Sequence, residues 1–340
     1  MTNLAQYVLW AADRTEPLLN QLPQATVDVL VSSLQEGNSS VTTLDGTKVR
    51  VMRRKSGAYT ALVVSSDPDR VSSKRLMETD LNAILAAAST VDITLKNAEA
   101  RTRRLLHNLK SLTAKTSQEI FDIARQDRLL GSPREAVPYV ASEISNNIEG
   151  TARALLEILK HQAAQKAEYT AFDRLSGRLD PRNIERHSIH RVLMNVFYLF
   201  FGEFVSKKVR AEVDKTLLQA VFDYDSIHVC IYYLVENAAK YVRPNSELKV
   251  TSHEDGAGLV DIRFSMESLV IQPSEVERIF DEGYSGMKAV QGKLSGAGIG
   301  LYLARAMAKL NKGRLTVIPG KPSIGSEYAR NSFILTLPAA

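Results

Sequence analysis

Two short stretches in the last third of the chain combine residue types that handle phosphate. Leu234-Val235-Glu236-Asn237-Ala238-Ala239-Lys240-Tyr241 reads as helix, and Gly296-Ala297-Gly298-Ile299-Gly300-Leu301 opens a second one. Glycines let backbone N–H groups approach an anion at a helix N-terminus, where unpaired donors and the helix dipole favour negative charge. An asparagine one helix away can ligate a hydrated divalent cation that phosphates also hold. Lys240, three residues beyond Asn237, shares its helix face and can meet phosphate charge. The glycines alone also suit a helix packed tightly on a strand, so the pattern gains its meaning from the ordered set.

These residues need a scaffold, and 340 residues suffice for roughly two domains. The hydrophobic share of 44% and charged share of 24% are those of an ordinary folded chain rather than a disordered one. The net charge of +5 does not by itself imply nucleic acid. Arg50, Arg53, Arg54 and Lys55 lack the aromatic interleaving of a nucleic-acid surface. Cys230, the single cysteine, excludes an internal disulfide and a thiolate zinc cluster. The most apolar stretch, Val192 to Val205, is interrupted by Asn195, Gly202 and Glu203 and falls short of the about 20 residues a membrane span needs. The start, Met1 to Pro17, lacks signal-peptide order. The expectation is a cytoplasmic protein with no membrane contact.

Along the chain, 1–36 reads as helical with breaks at Pro17 and Pro23, and 41–65 as small antiparallel strands turning at Asp45-Gly46 and Ser56-Gly57. Together 1–70 forms a small α+β module of unassigned role. From Leu76 to Leu130 there is neither Pro nor Gly. Leu81, Ala88, Leu95, Thr102, Leu109, Thr116, Ile123 and Leu130 share one heptad position, with Ile84, Val91, Ala98, Leu105 and Leu112 three later. Such a seam predicts one long helix packed along its whole length on other helices. Gly131 reads as a C′ glycine, and Ser132-Pro133-Arg134-Glu135 as a capping box. A second helix to about Phe172 closes a hairpin over 76–172, which buries its core by pairing with a second copy. After the polar break from Ser176 to Pro181 the texture is α/β. Helices are expected at 188–204, 225–241 and 298–311, and strands at 208–213, 217–222, 247–253, 258–265, 314–318 and 331–337.

The ordered set over about 185–338 resembles the ATP-binding domain of sensor histidine kinases, a Bergerat-fold family of the GHKL superfamily that also holds Hsp90, MutL and gyrase B. It comprises Asn237-Ala-x-Lys240-Tyr241, Arg278-Ile279-Phe280-Asp281, Tyr284-Ser285-Gly286, the glycine run and Phe333-x-Leu335-x-Leu337-Pro338. The resemblance implies an α+β multidomain chain: a helical hairpin forming a dimeric four-helix bundle, then an α/β-sandwich ATP-binding domain at 185–340. It implies Asn237 as the Mg2+ ligand, Lys240, Tyr241 and Leu301 beside ATP, Gly296, Gly298 and Gly300 as the second glycine box, and 283–297 as a lid. Two positions depart from the family. Met266 stands where an adenine-binding Asp is expected, with Ser268 and Val270 in place of the first glycines. Tyr233 stands where a clamp ATPase has its catalytic Glu, which disfavours that class.

The same resemblance makes His107-Asn108-Leu109-Lys110-Ser111 a phosphoacceptor box, with His107 as nucleophile and Lys110 as its basic member. The heptad count supports this separately, since His107 falls on the outward f position, and a phosphoacceptor must be exposed. Asn108 departs from the family's acid and cannot act as a base. The run Arg101, Arg103, Arg104 is a solvated face or an attractive surface for an acidic receiver domain of a response regulator. His161, His187, His190, His228 and His253 have no ligand-spaced partners. The implied activity is autophosphorylation of His107 followed by transfer to a regulator aspartate. The alternative is a degenerate kinase serving as a dimeric scaffold or a phosphotransfer protein.

Overall fold

The computed structural model describes residues 5–33, 38–176, 183–294 and 296–340. The break expected from Ser176 to Pro181 lies, beyond Ser176 itself, outside the described residues. The chain folds as two compact units, Met1–Arg104 and Leu105–Ala340. Among the described residues no helix is long and apolar enough to cross a membrane.

The first unit is a five-stranded antiparallel sheet ordered β2-β1-β5-β4-β3. Its elements are β1 (Gln6–Ala11), β2 (Leu19–Asn20), α1 (Gln24–Ser33), β3 (Ser39–Leu44), β4 (Thr47–Ser56), β5 (Tyr59–Ser65), α2 (Pro68–Ser72) and the start of α3 (Lys74–Ile123). The expectation of helix over 1–36 fails for Gln6–Ala11, which pairs with β5 in register from Gln6 opposite Val64 to Ala11 opposite Tyr59. Alternate side chains of that strand serve two faces. Val8 joins Val51, Leu62, Val64 and the α1 residues Val27 and Leu30. Leu9 joins Met52, Ala61 and Val63 under Met77, Leu81 and Ala88 of α3. The heptad seam is therefore real, but its N-terminal half packs on a sheet and not on helices. Asp45 (φ 48°) and Gly46 (φ 77°) make the β3–β4 hairpin turn, whose left-handed backbone matches strand twist.

The second unit continues with α4 (Gln126–Leu129), α5 (Pro133–Asn146) and α6 (Ile148–Leu175). Pro133 occupies the first helical turn as expected, but the Ser132 side chain makes no capping bond. Gly131 is not among the residues with positive φ, so it does not act as a left-handed cap. Asn147 interrupts the expected second helix and caps α6 through its side chain to Gly150 N (2.9 Å).

Then come β6 (Ile184–Ser188), α7 (Ile189–Phe197), a 3-10 turn, α8 (Phe201–Ser206), β7 (Arg210–Val213), β8 (Gln219–Asp223), α9 (Tyr224–Tyr241), β9 (Glu247–Glu254) and β10 (Leu259–Leu269). α10 (Met287–Gln291), α11 (Gly300–Leu310), β11 (Arg314–Ile318) and β12 (Tyr328–Pro338) complete the chain. The main sheet runs β11-β12-β10-β9-β7, antiparallel except for the parallel β7–β9 pair. β6 and β8 pair separately.

Val260, Ile262, Phe264 and Met266 of β10 alternate into one core with α7, α9 and α11. That is the helices-on-one-face sandwich expected of a Bergerat-type domain. α6 belongs to the same core. Ala167 and Ala171 are buried in it, and Ala163 and Ala164 pack against it. Small side chains let the α6 backbone lie close, and a buried ion pair from Arg174 to Asp223 (3.3 Å), the N-cap of α9, holds its end.

Candidate nucleotide site

A cavity of about 320 Å³ opens between α9, the end of β10 and the N-terminus of α11. Asn237, Lys240, Tyr241, Gly296, Gly298, Gly300 and Leu301 all line it. These are seven residues that the sequence placed together. Met266 does not line it. Its side chain is 2% exposed and turned into the core, and the cavity wall begins two residues on, with Ser268, Leu269 and Val270. His107 and Lys110 are exposed on α3 and do not line the cavity either, but Asn108 between them does.

The three glycines act differently. Gly298 has φ +68°, and a Cβ there would stand 2.6 Å from the Gly283 carbonyl carbon and from Tyr284 O. Gly283 N donates to Gly298 O (3.0 Å), so the two ends of the expected lid are joined at this residue. Gly300 instead leaves room for the Tyr233 ring, 3.2 Å from where its Cβ would be. At Gly296 the atom nearest to where a Cβ would be is Lys240 Nζ, at 3.0 Å, so the ammonium occupies the space a side chain there would need. The first-turn N–H groups of α11 have no partners within the helix and are the donors an anion would meet.

Glu275, which sequence reasoning did not single out, anchors the segment over the cavity. It is 3% exposed; its Oε1 accepts from Tyr284 Oη (2.9 Å) and Met287 N (2.7 Å), and its Oε2 from Gln272 N (3.0 Å). Tyr241 Oη donates to Leu294 O (3.2 Å) and ties α9 to the same segment. At the opposite wall, Asn331 Nδ2 donates to Ser268 Oγ (2.9 Å) and Leu269 O (3.0 Å), so a held hydroxyl is the polar group there. Only the capping-box spacing Gln272-Pro-Ser-Glu275 could have flagged any of this.

Glu168 of α6 was also missed. Its Oε1 accepts from Asn108 Nδ2 (3.2 Å) and from Tyr233 Oη (3.2 Å), so one carboxylate oxygen links α3, α6 and α9 at the cavity. No local pattern connects residues 60 and 65 apart in sequence. Burial pushes the Glu236 carboxyl up to about 7, Glu168 adds to the rise, and Lys240 opposes it. The side chain is solvent-accessible because it faces the cavity, so water there moderates the shift. Burial likewise lowers the Lys240 ammonium, with Glu236 opposing. The Lys207 ammonium donates to Ala239 O (2.6 Å) and Lys240 O (2.9 Å), a cation at the carbonyl end of α9 that fixes where the helix stops.

Residues 222–340 match the family model described as histidine kinase-, DNA gyrase B-, and HSP90-like ATPase. The histidine protein kinase SaeS of Staphylococcus aureus is 31% identical over 85 residues, which cover 25% of this chain and 24% of that protein. The sensor-like histidine kinase SenX3 of Mycobacterium tuberculosis is 29% identical over 122 residues, 36% of this chain and 28% of that protein. The chain thus spans about a quarter of the length of these curated relatives. A solved structure of the mycobacterial sensor histidine kinase MprB aligns over 46% of this chain and 97% of that one, at 18% identity and a TM-score of 0.39. Residues 222–340 are thus similar to the ATPase domain of histidine kinases, DNA gyrase B and HSP90, and these curated relatives are histidine kinases.

Proposed function

We propose that the chain is a protein-histidine kinase that binds ATP in the cavity and moves the γ-phosphoryl group to His107, from which it passes to an aspartate of a response-regulator receiver domain. In this reading 1–70 receives an input, 76–172 dimerises and carries the phosphoacceptor, 185–340 binds ATP, and the protein works in the cytoplasm. The observation that carries the proposal is the composition of one cavity. The nucleotide-type residues Asn237, Lys240 and the glycine turn share it with Asn108, the immediate neighbour of His107.

The donor set suits a metal–triphosphate. The Asn237 side-chain oxygen offers one neutral hard ligand, the Lys240 ammonium and the α11 N–H groups offer positive partners, and phosphate oxygens would complete the shell of Mg2+. When bound, that ion neutralises charge on the phosphates. This chain's residues position the reactants, which supplies most of the rate in phosphoryl transfer.

Incubation with γ-labelled ATP tests the reading. The wild-type chain should take up acid-labile label, and His107→Gln should take up none. Label that persists in His107→Gln removes His107 from the reaction. A second reading, a scaffold or phosphotransfer protein, is favoured by the burial of Met266 in the core where a carboxylate would read adenine. Thermal unfolding decides between them. A ligand at 100 times its Kd stabilises by about 2.7 kcal/mol, so the absence of any shift with ATP, ADP or GTP, with and without Mg2+, selects the scaffold.

A further inference from the structure

The kinase reading leaves one chemical requirement unmet by its own motif. As a neutral imidazole takes up a phosphoryl group, the proton on its other ring nitrogen must leave, and Asn108 beside His107 has no basic lone pair to take it. The structure brings a carboxylate from elsewhere in the chain to Asn108 itself. Glu168 Oε1 is held by Asn108 Nδ2 and by Tyr233 Oη, both at 3.2 Å, on the wall of the nucleotide cavity. Its backbone is fixed. The preceding residue, Ala167, is buried in the ATPase core, as is Ala171 one turn on, and Arg174 closes the helix on Asp223. Asn108 and His107 are consecutive on α3, so the amide that grips Glu168 brings its carboxylate to the residue next to the phosphoacceptor.

We propose that Glu168 is the proton acceptor for phosphorylation of His107, and that Asn108 positions it; the proposal rests on the kinase reading above. One imidazole nitrogen forms a bond to the γ-phosphorus of ATP as the bond from that phosphorus to the β,γ-bridging oxygen breaks. The electron pair leaves on ADP. The proton on the other imidazole nitrogen passes to the Glu168 carboxylate and later to water. The products are ADP and a phosphohistidine whose ring is uncharged and whose phosphoryl group keeps its negative charge. The carboxylate that the family resemblance expects at position 108 is thus supplied by the second helix of the hairpin.

Glu168→Gln separates chemistry from structure, because an amide oxygen can still accept from Asn108 and Tyr233 but is not a base. In the full-length protein, the initial rate of acid-labile labelling should fall about 100-fold or more, the scale of a lost general base. The unfolding midpoint without nucleotide should stay at its wild-type value. Placing an acid beside His107, in Asn108→Asp with Glu168→Gln, should recover about tenfold or more of the lost rate.

A Glu168→Gln rate within about threefold of wild type overturns the proposal, as does a loss that Asn108→Asp does not relieve. If Glu168→Gln lowers the unfolding midpoint, Glu168→Asp and Glu168→Asn form a pair shortened equally that differ in basicity. Faster labelling of the Asp variant supports the proposal, and equal rates overturn it. A wild-type chain that shifts with ATP but takes no label is a failure of the kinase reading itself, and this proposal falls with it.

Discussion

At Gly298 the backbone holds φ at +68° with no space for a Cβ beside Gly283 and Tyr284. Gly298→Ala must therefore strain the turn or part the two ends of the lid, at a cost of about 1–3 kcal/mol. Nucleotide affinity should fall with it, because the N–H groups at the start of α11 are set by that turn. Gly300→Ala meets only one edge of the Tyr233 ring, at 3.2 Å, and a small ring shift should accommodate it. Titration calorimetry with ATP·Mg on both variants checks the contrast, and equal affinities would contradict it. The glycine run was legible in the sequence as a set, yet its members differ in a way no spacing discloses. One is conformational, one makes room for an aromatic ring, and one receives a lysine. Met266 teaches the converse. Its place in the motif order was readable, but its orientation depends on the pleat of β10, whose alternation carries position 266 into the core.

α6 has two faces with different duties, which explains why its role was only half readable. A helix to about Phe172 was visible in the sequence, whereas the contact that Ala167 and Ala171 make with the ATPase core was not. The first strand escaped for a similar reason. Gln6–Ala11 is apolar on both faces because both are covered, so it lacks the alternation that marks a half-buried strand.

The same helix α6 carries a titratable group at a buried position. His161 is 8% exposed, and among the described residues its Nδ1 has no hydrogen-bond partner. Burial pushes its pKa below the usual 6.5, Lys160 and Lys115 add to this, and Glu157 and Glu119 oppose it. The unfolded chain therefore binds a proton that the folded hairpin resists. Stability is fully present above about pH 6.5 and is lost as pH falls through that value toward the folded pKa. Between pH 7.5 and 5.5 the unfolding midpoint should drop, and His161→Phe, which fills the site without an ionisable nitrogen, should flatten that part of the profile. An unchanged slope in the variant would assign the effect to other groups.

For the whole molecule, the apolar face that α5 and α6 leave in solvent is the feature a single chain does not satisfy. Val137 and Ile144 of α5 lie seven residues apart, and Ile148, Leu155 and Leu159 of α6 seven and four apart, the spacing of a stripe on each helix, and all are exposed. Leu155 and Leu159 are 52% and 53% exposed, whereas Ala167 and Ala171 of the same helix are buried in the ATPase core. Covering such a side chain contributes about 1.5–3 kcal/mol, so a second copy meeting along the stripe offsets the entropy of association several residues at a time. We expect the wild-type chain to be a dimer in light scattering, and the double variant Leu155→Lys, Leu159→Lys to be a monomer with its nucleotide cavity intact. The cavity is spared because neither position lines it, so ATP should shift the unfolding midpoint of the monomer as it does that of the dimer. A double variant that stays dimeric would place the interface on another face. A monomer that has lost its response to ATP would show that dimer formation is coupled to the nucleotide site.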